Sequence, residues 1–284
     1  MMNYKQHYMW DLKSLLLATD NTEYSEGAIK EAIHIAKHCD AKLYVIQVLQ
    51  INPEFATEGH KEIEKMELNC RLHFDHIREL AAEENVEIES IVRRSDKPDE
   101  VIIEEAYKKK VDLIVMGRRG FTGLKRFVIG SVTAKVIVSS PCNVLVVPKG
   151  AQIKSWTILL ATDGSDYSRA SEDEALSMAR RCPELKKFFA LSVAKSESKL
   201  PETTQIIENF KKKAVEWGIE IEPIIAVGVP HEIILKIAKE KDCDLIILGT
   251  YGRKGVKKLA FGSVSEKVIT YTNCAVLVAK IAKI

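Results

Sequence analysis

Hydrophobic and polar positions along the chain alternate between two kinds of segment. Short, nearly continuous apolar runs such as 14–19 and 112–116 predict strands that are buried on both faces of a sheet. Between such runs, apolar residues recur every three or four positions, as at Ala28, Ala32 and Ala36, which predicts amphipathic helices. Strands that alternate with helices imply right-handed crossovers and a parallel sheet covered on both faces. The pattern therefore predicts an α/β fold.

This pattern occurs twice in the chain. Residues 98–148 align without a gap with residues 230–280, with roughly 22 identities. The segment Leu-Leu-Ala-Thr-Asp also repeats, at 16–20 and 159–163, and one longer connection near 51–61 distinguishes the first copy. We therefore predict a duplicated domain, with boundaries at 12–149 and 155–284. Each copy is expected to be a five-stranded doubly wound unit.

The two copies give matching sets of predicted elements. The predicted strands are 14–19, 43–49, 87–92, 112–116 and 143–147 in the first copy, and 157–162, 188–194, 220–226, 244–248 and 275–279 in the second. The predicted helices include 61–84, 131–139, 203–217 and 263–270. Ser25 and Ser168 are predicted to cap two further helices, and Pro98 and Pro230 to begin two more. Because the last strand of each copy is apolar and the join at 149–155 is short, we expect 144–146 to lie beside 276–278 as a pseudo-twofold interface within one chain.

Composition and charge narrow the class of protein. With 42 Lys and Arg against 40 Asp and Glu, the net charge is +2, which gives no whole-protein electrostatic case for a nucleic-acid or membrane partner. No apolar run approaches the roughly 18 residues of a spanning helix, and residues 1–10 do not resemble a signal peptide. The six cysteines are scattered, without a Cys-x-x-Cys pair, which favours reduced thiols in a cytoplasmic protein.

Two glycine-rich segments share the spacing G-x2-G-x9-G-S. Each begins where a predicted strand ends and finishes where a predicted helix begins, a place where open α/β sheets commonly bind ligands. Glycines let backbone N–H groups approach a phosphate, and a helix N-terminus adds unpaired donors and a partial positive charge. The glycines could instead only shape a loop, but identical spacing in both copies favours phosphate binding. The residues are Gly117, Gly120, Gly130 and Ser131, and Gly249, Gly252, Gly262 and Ser263.

Other kinds of site are less well supported. The chain has no P-loop motif, no G-x-G-x-x-G after a first strand and no protein-kinase signature. His34 and His38 are four residues apart on a helix, but no third metal ligand is obvious. Cys70, His73 and His76 point in directions too different for one ion. Arg118 and Arg119 could screen phosphate charge or form a solvated basic loop. We expect neither a metal site nor catalytic residues.

The glycine-serine segments, together with the Ala-Thr-Asp that closes each first strand, resemble the universal stress protein family in its tandem two-domain form. The resemblance spans about residues 12–279, and the three-part motif is specific to the ATP-binding branch of that family. It implies five parallel strands in the order 3-2-1-4-5, with helices on both faces, and ATP at the carboxyl ends of strands 1 and 4. Mg²⁺ can accompany the nucleotide.

The resemblance also implies individual binding residues. Around the adenine and ribose it implies Ala18, Thr19, Asp20 and Val48 in the first copy, and Ala161, Thr162, Asp163 and Val193 in the second. Around the ribose and phosphates it implies the glycines and serines given above, with Arg119, Val132, Thr133, Val264 and Ser265. The first copy departs from the family in reading Asn21-Thr22 where the second reads Gly164-Ser165. Since Asn tolerates left-handed backbone geometry, the turn is expected to survive, with the first site weaker.

Three functions are compatible with these features. The leading hypothesis is a cytoplasmic ATP-binding stress or regulatory protein that uses adenine nucleotide as a ligand. The second is a slow ATPase or a nucleotidyl-transferring enzyme, and the third is a protein-interaction module without bound nucleotide. We also expect a protein partner, which the sequence does not identify, and a homodimer of the whole chain is left open.

Overall fold

The computed structural model describes residues 12–50, 60–118, 129–250 and 262–281. Its strands are β1 (Ser14–Ala18), β2 (Lys42–Leu49), β3 (Ile88–Arg94), β4 (Leu113–Gly117), β5 (Asn143–Val147), β6 (Thr157–Ala161), β7 (Lys187–Ala194), β8 (Glu222–Val227), β9 (Leu245–Gly249) and β10 (Ala275–Ala279). Its α-helices are α1 (Glu26–Cys39), α2 (His60–Glu83), α3 (Pro98–Lys109), α4 (Ser131–Ser139), α5 (Asp166–Arg181), α6 (Leu200–Glu216), α7 (Pro230–Glu240) and α8 (Ser263–Tyr271). Below, the first half is the chain up to residue 149 and the second half begins at residue 155.

The strands form one ten-stranded sheet in the order β3-β2-β1-β4-β5-β10-β9-β6-β7-β8. Read from its outer edge to the centre, each half has the order 3-2-1-4-5, and all neighbours within a half are parallel. The predicted α/β class and strand order are therefore confirmed. Among the described residues, no helix is both long enough and apolar enough to cross a membrane.

The two halves meet at a seam formed by β5 and β10. These strands pair antiparallel, with Val146 opposite Val276, Leu145 opposite Leu277 and Val144 opposite Val278. The expected pairing of the last strands is thus observed. Each strand covers an edge that would otherwise expose a row of unpaired backbone groups.

Helices cover both faces of the sheet. Successive residues of a strand point to opposite faces, so Leu15 and Leu17 join one buried core and Leu16 and Ala18 join the other. The first core packs against α1, α2, α5 and α6, and the second against α3, α4, α7 and α8. Each core contains residues from both halves, so the hydrophobic packing is continuous across the seam.

Most helix boundaries agree with the sequence pattern, but the capping predictions need correction. The prediction that Ser168 caps α5 was wrong: the helix begins earlier, and the hydroxyl of Ser165 accepts the backbone N–H of Ser168 at 3.3 Å. Ser25 stands at the start of α1, but its hydroxyl donates to the carbonyl oxygen of Thr22 and caps no backbone N–H. Several hydroxyl side chains lie within one turn of each helix start. The sequence does not show which of them accepts a backbone N–H and caps the helix.

Two aspartates that repeat in sequence hold the starts of the first strands. Asp112 Oδ2 accepts the backbone N–H groups of Lys13 at 2.8 Å and Ser14 at 3.0 Å. Asp244 Oδ2 does the same for Ser155 at 3.1 Å and Thr157 at 3.0 Å. The repeat of this residue type therefore reflects a structural role at the amino-terminal edge of each half-sheet.

Candidate functional site

Each half has a topological switch point at the carboxyl ends of its first and fourth strands. In the first half, β1 and β4 are parallel neighbours, with Ala18 opposite Met116. The helices that follow them, α1 and α4, pack on opposite faces of the sheet. A crevice opens where the connections diverge in this way, and ligands of open α/β sheets bind there. In the second half, β6, β9, α5 and α8 repeat the arrangement.

The turn after β1 is shaped by the carboxylate of Asp20. Its Oδ1 accepts the backbone N–H of Thr22 at 3.2 Å and the hydroxyl of Thr22 at 2.7 Å. The other oxygen, Oδ2, is buried and has no hydrogen-bond partner among the described residues. A buried carboxylate oxygen without a donor is costly, so this atom is positioned to accept a hydrogen bond from a ligand.

The corresponding turn in the second half has the same design. Asp163 Oδ1 accepts the backbone N–H of Ser165 at 3.1 Å. Asn21 and Gly164, which follow the two aspartates, have left-handed φ values of 61° and 71°. The expectation that Asn21 preserves the turn is therefore confirmed. A side chain at position 164 would also crowd Ile206, since a Cβ there would lie 2.9 Å from its Cγ1.

The threonines beside these aspartates have different partners in the two halves. Thr19 Oγ1 donates to Ser25 Oγ at 3.0 Å, and it lies 2.8 Å from Nε2 of His73 on α2. Since the threonine proton is already donated, Nε2 of His73 is the donor in this contact. In the second half, the hydroxyl of Thr162 likewise donates to Ser168 Oγ at 3.1 Å, and its other partner is the buried carboxylate of Glu172. Burial raises the pKa of Glu172 and lowers that of His73. The sequence singled out His73 only as a metal-ligand candidate, and it gave no signal for Glu172.

Glycine begins both helices that follow the fourth strands. Gly130 precedes α4 and Gly262 precedes α8, and neither offers a side chain to cap the first N–H groups. The Gly130 N–H donates to Arg118 O at 2.9 Å, and the Gly262 N–H donates to Thr250 O at 3.0 Å. The first N–H groups of a helix have no acceptor within the helix itself. Both helix starts can therefore receive an anion.

The first turns of α4 and α8 each carry one exposed hydroxyl side chain and one buried one. Ser131 and Ser263, the first residues of α4 and α8, are exposed. The hydroxyl of Thr133 instead donates inward to Gly117 O at 3.0 Å, and that of Ser265 to Gly249 O at 2.9 Å. The buried hydroxyls thus tie each helix to its preceding strand, which leaves the serines as the hydroxyl donors that face outward.

Gly249 has a packing role that the spacing motif did not reveal. A Cβ at this position would lie 2.5 Å from the carbonyl oxygen of Tyr167 and 3.2 Å from the backbone nitrogen of Ser168. Glycine is therefore required here so that the start of α5 can approach the end of β9. This close approach is independent of any ligand.

The side chain of Arg118 contacts the second half of the chain. Its guanidinium Nη1 donates to the carbonyl oxygen of Thr272 at 2.6 Å and contacts Ile269 O at 3.3 Å, both at the end of α8. It therefore bridges the first half to the second. Arg119, Gly120 and Gly252 lie outside the described residues.

The remaining predicted residues surround the two strand ends. Ala18 and Thr19 are buried, as is Thr162, whereas Asp20, Asp163, Val48 and Val193 are half-buried. Val48 lies two residues beyond Ile46, the partner of Ala18 in the sheet, and so stands level with Asp20. The half-buried positions also include Ala161, Gly130, Gly262, Val132 and Val264.

These features define an open α/β protein in which two similar helix starts, each preceded by glycine, follow the fourth strands of the two halves. The sequence model of the universal stress protein family matches residues 12–148 and 156–280. The chain therefore belongs to the universal stress protein family.

Individual relatives match one half at a time. A universal stress protein of Methanocaldococcus jannaschii is 38% identical over 141 residues, which cover 48% of this chain and 82% of that protein. Universal stress protein YxiE of Bacillus subtilis is 33% identical over 147 residues, which cover 47% of this chain and 97% of that protein.

A solved structure covers both halves together. A universal stress protein from Archaeoglobus fulgidus superposes with a TM-score of 0.74 at 23% identity, over 94% of this chain and 98% of that one. At this level of identity the likeness concerns the fold.

Proposed function

We propose that each half, 12–149 and 155–284, binds one adenine nucleotide, ATP, in the crevice at the carboxyl ends of its first and fourth strands. The observation that carries the proposal is that the same arrangement of potential ligand-binding groups occurs in both halves. Each crevice combines a helix preceded by glycine, an exposed serine at the first helical position and a half-buried aspartate just after the neighbouring strand. Membership of the universal stress protein family supports the same assignment.

The chemistry of these groups suits the parts of a nucleotide. Backbone N–H groups of α4 and α8, with Ser131 and Ser263, would hold the phosphates. The carboxylates of Asp20 and Asp163 would accept hydrogen bonds from ribose hydroxyls, and the buried Oδ2 of Asp20 offers such an acceptor in the first half. Val48 and Val193 would provide apolar contact for the base. Mg²⁺ can accompany the phosphates, since it is held in proteins partly by phosphate oxygens.

We further propose that the nucleotide acts as a regulatory ligand in the cytoplasm. A cradle of N–H groups and a hydroxyl stabilises charge, but hydrolysis also needs an oriented water. The Oδ1 atoms of Asp20 and Asp163 are engaged in their own turns. We therefore expect turnover below about one per minute, far under the usual enzyme range of roughly 1–1,000 per second. Turnover of radiolabelled ATP near one per second would favour an enzyme instead.

Nucleotide analysis of the purified protein tests binding directly. The protein is denatured, and the released nucleotides are separated and quantified by chromatography, with adenine nucleotide expected at close to two per chain. Gly130→Val and Gly262→Val should each reduce that amount by about one. Both glycines have extended backbone angles, with φ near −60°, which valine adopts without strain, so the variants should fold. Unchanged nucleotide content in the double variant would contradict the proposed location.

A further inference from the structure

We propose that His34, His38 and Glu184 form a binding site for a divalent transition-metal ion, of the Zn²⁺ class, that joins the two halves of the chain. The two histidines are four residues apart on α1, whereas Glu184 lies in the second half, between α5 and β7. One ligand atom from each residue, two imidazole nitrogens and a carboxylate oxygen, lie within 4.8 Å of one another. The structure thus supplies the third ligand that was not obvious from the sequence.

His38 is held with a ring nitrogen directed at the carboxylate. Its Nδ1 lies 2.8 Å from the carbonyl oxygen of His34, and since a carbonyl only accepts, Nδ1–H is the donor. In the neutral ring, the lone pair is then on Nε2, 3.5 Å from Glu184 Oε1. Two ligands at 2.0–2.2 Å from a tetrahedral ion are about 3.4 Å apart. His38 Nε2 and Glu184 Oε1 are therefore already spaced as two ligands of one metal ion would be.

Glu184 is positioned by a residue that does not ligate. The indole N–H of Trp156 donates to Glu184 Oε2 at 3.2 Å, and Trp156 itself is fully buried. A hydrogen bond to one carboxylate oxygen orients the other, as partners of metal ligands commonly do. Oε1 is the oxygen that faces His38.

His34 contributes a nitrogen that the protein leaves unsatisfied. Its Nε2 is buried and has no hydrogen-bond partner among the described residues. The ring is stacked near Trp156, with 6.3 Å between centroids and 23° between planes. Burial and the adjacent His38 lower the pKa of His34.

The donor set selects the class of ion. Two imidazoles and one carboxylate, with water in the fourth position, are a known zinc ligand set, whereas Mg²⁺ and Ca²⁺ favour oxygen ligands throughout. His38 and Glu184 are exposed, so an ion can enter from solvent.

Metal titration of the tag-free full chain, stripped with a chelator, tests this site. Calorimetry with Zn²⁺ should give one ion per chain, with a Kd of about 10 μM or tighter. Co²⁺ should give the visible absorption bands of a four- or five-coordinate ion. His34→Phe, His38→Gln and Glu184→Gln should each weaken Zn²⁺ binding at least about tenfold, and His76→Gln, an exposed histidine on α2, should not.

Circular dichroism of each apo variant separates loss of a ligand from loss of the fold. His34→Phe keeps an aromatic ring beside Trp156. If that variant fails to fold, the Zn²⁺ affinities of His38→Gln and Glu184→Gln, which change exposed residues, test the site. Absence of Zn²⁺ binding by the wild-type chain at 100 μM metal would overturn the proposal. Undiminished binding in both His38→Gln and Glu184→Gln would overturn it as well.

Discussion

The guanidinium of Arg118 donates a 2.6 Å hydrogen bond to the carbonyl oxygen of Thr272, just after the last residue of α8. Arg118 belongs to the first half and is the first residue after β4, and its own carbonyl accepts the N–H of Gly130. The same residue therefore bonds to the residue that precedes α4 and supports a helix of the second half. A cation at this end of a helix also complements the helix dipole.

Replacing Arg118 should destabilise the whole chain. Arg118→Ala leaves the carbonyl oxygens at the end of α8 without their charged donor, so we expect a loss on the order of 1–3 kcal/mol in the free energy of unfolding. Urea denaturation measures this loss. Arg169→Ala is the control, because that side chain is exposed and its i,i+3 ion pair with Asp166 is exposed as well. Equal stability of the two variants would show that the bridge contributes little.

The stability of the protein should depend on pH through Glu31. This residue on α1 is 2% exposed, and its burial raises the pKa of the carboxyl to about 7. Its Oε1 accepts the backbone N–H of Ile153 at 2.9 Å. Because the folded chain holds this proton more tightly than the unfolded chain, the free energy of unfolding should fall as pH rises from about 4.5 to about 7.

Glu31→Gln isolates this dependence, since glutamine still accepts from Ile153 and cannot ionise. Relative to the wild type, the variant should gain on the order of 1–3 kcal/mol between pH 5 and pH 8. Denaturation curves at the two pH values provide the comparison. Glu240→Gln, at an exposed ion pair with Lys236, should show no such gain. A constant difference between wild type and Glu31→Gln across this range would refute the assignment.

Gly249→Ala should destabilise the second half by steric conflict. The added Cβ would meet the Tyr167 carbonyl oxygen at 2.5 Å, so the start of α5 must move, at a cost of roughly 1–3 kcal/mol. Gly218→Ala is a useful comparison, because its Cβ meets nothing within 4 Å and its cost comes only from a φ of 72°. Thermal unfolding should show the larger loss for Gly249→Ala. If the losses were reversed, close packing would not explain this glycine.

The strands and the pairing of the halves were predictable because they depend on local patterns that occur twice. The apolar runs placed β4 and β9, and the exposed apolar edges of β5 and β10 required a partner. The starts of α4 and α8 were also predictable, since in each copy a glycine stands directly before a helix that follows a strand.

Contacts between distant segments could not be predicted in the same way. His73 reaches Thr19 from α2, and α6, the corresponding helix of the second half, contains no histidine, so comparison of the two copies gives no signal for this contact. Glu184 meets His38 only because the two halves pack together. The repeat of Asp112 and Asp244 was visible in the sequence, but only the structure shows that these carboxylates hold strand starts.

Calorimetric titration of the nucleotide-free wild-type chain with ATP tests the central claim most directly. The two recurring crevices predict close to two ATP per chain, with the site that contains Asn21 and Thr22 the weaker. Absence of binding at millimolar ATP would contradict the proposed function.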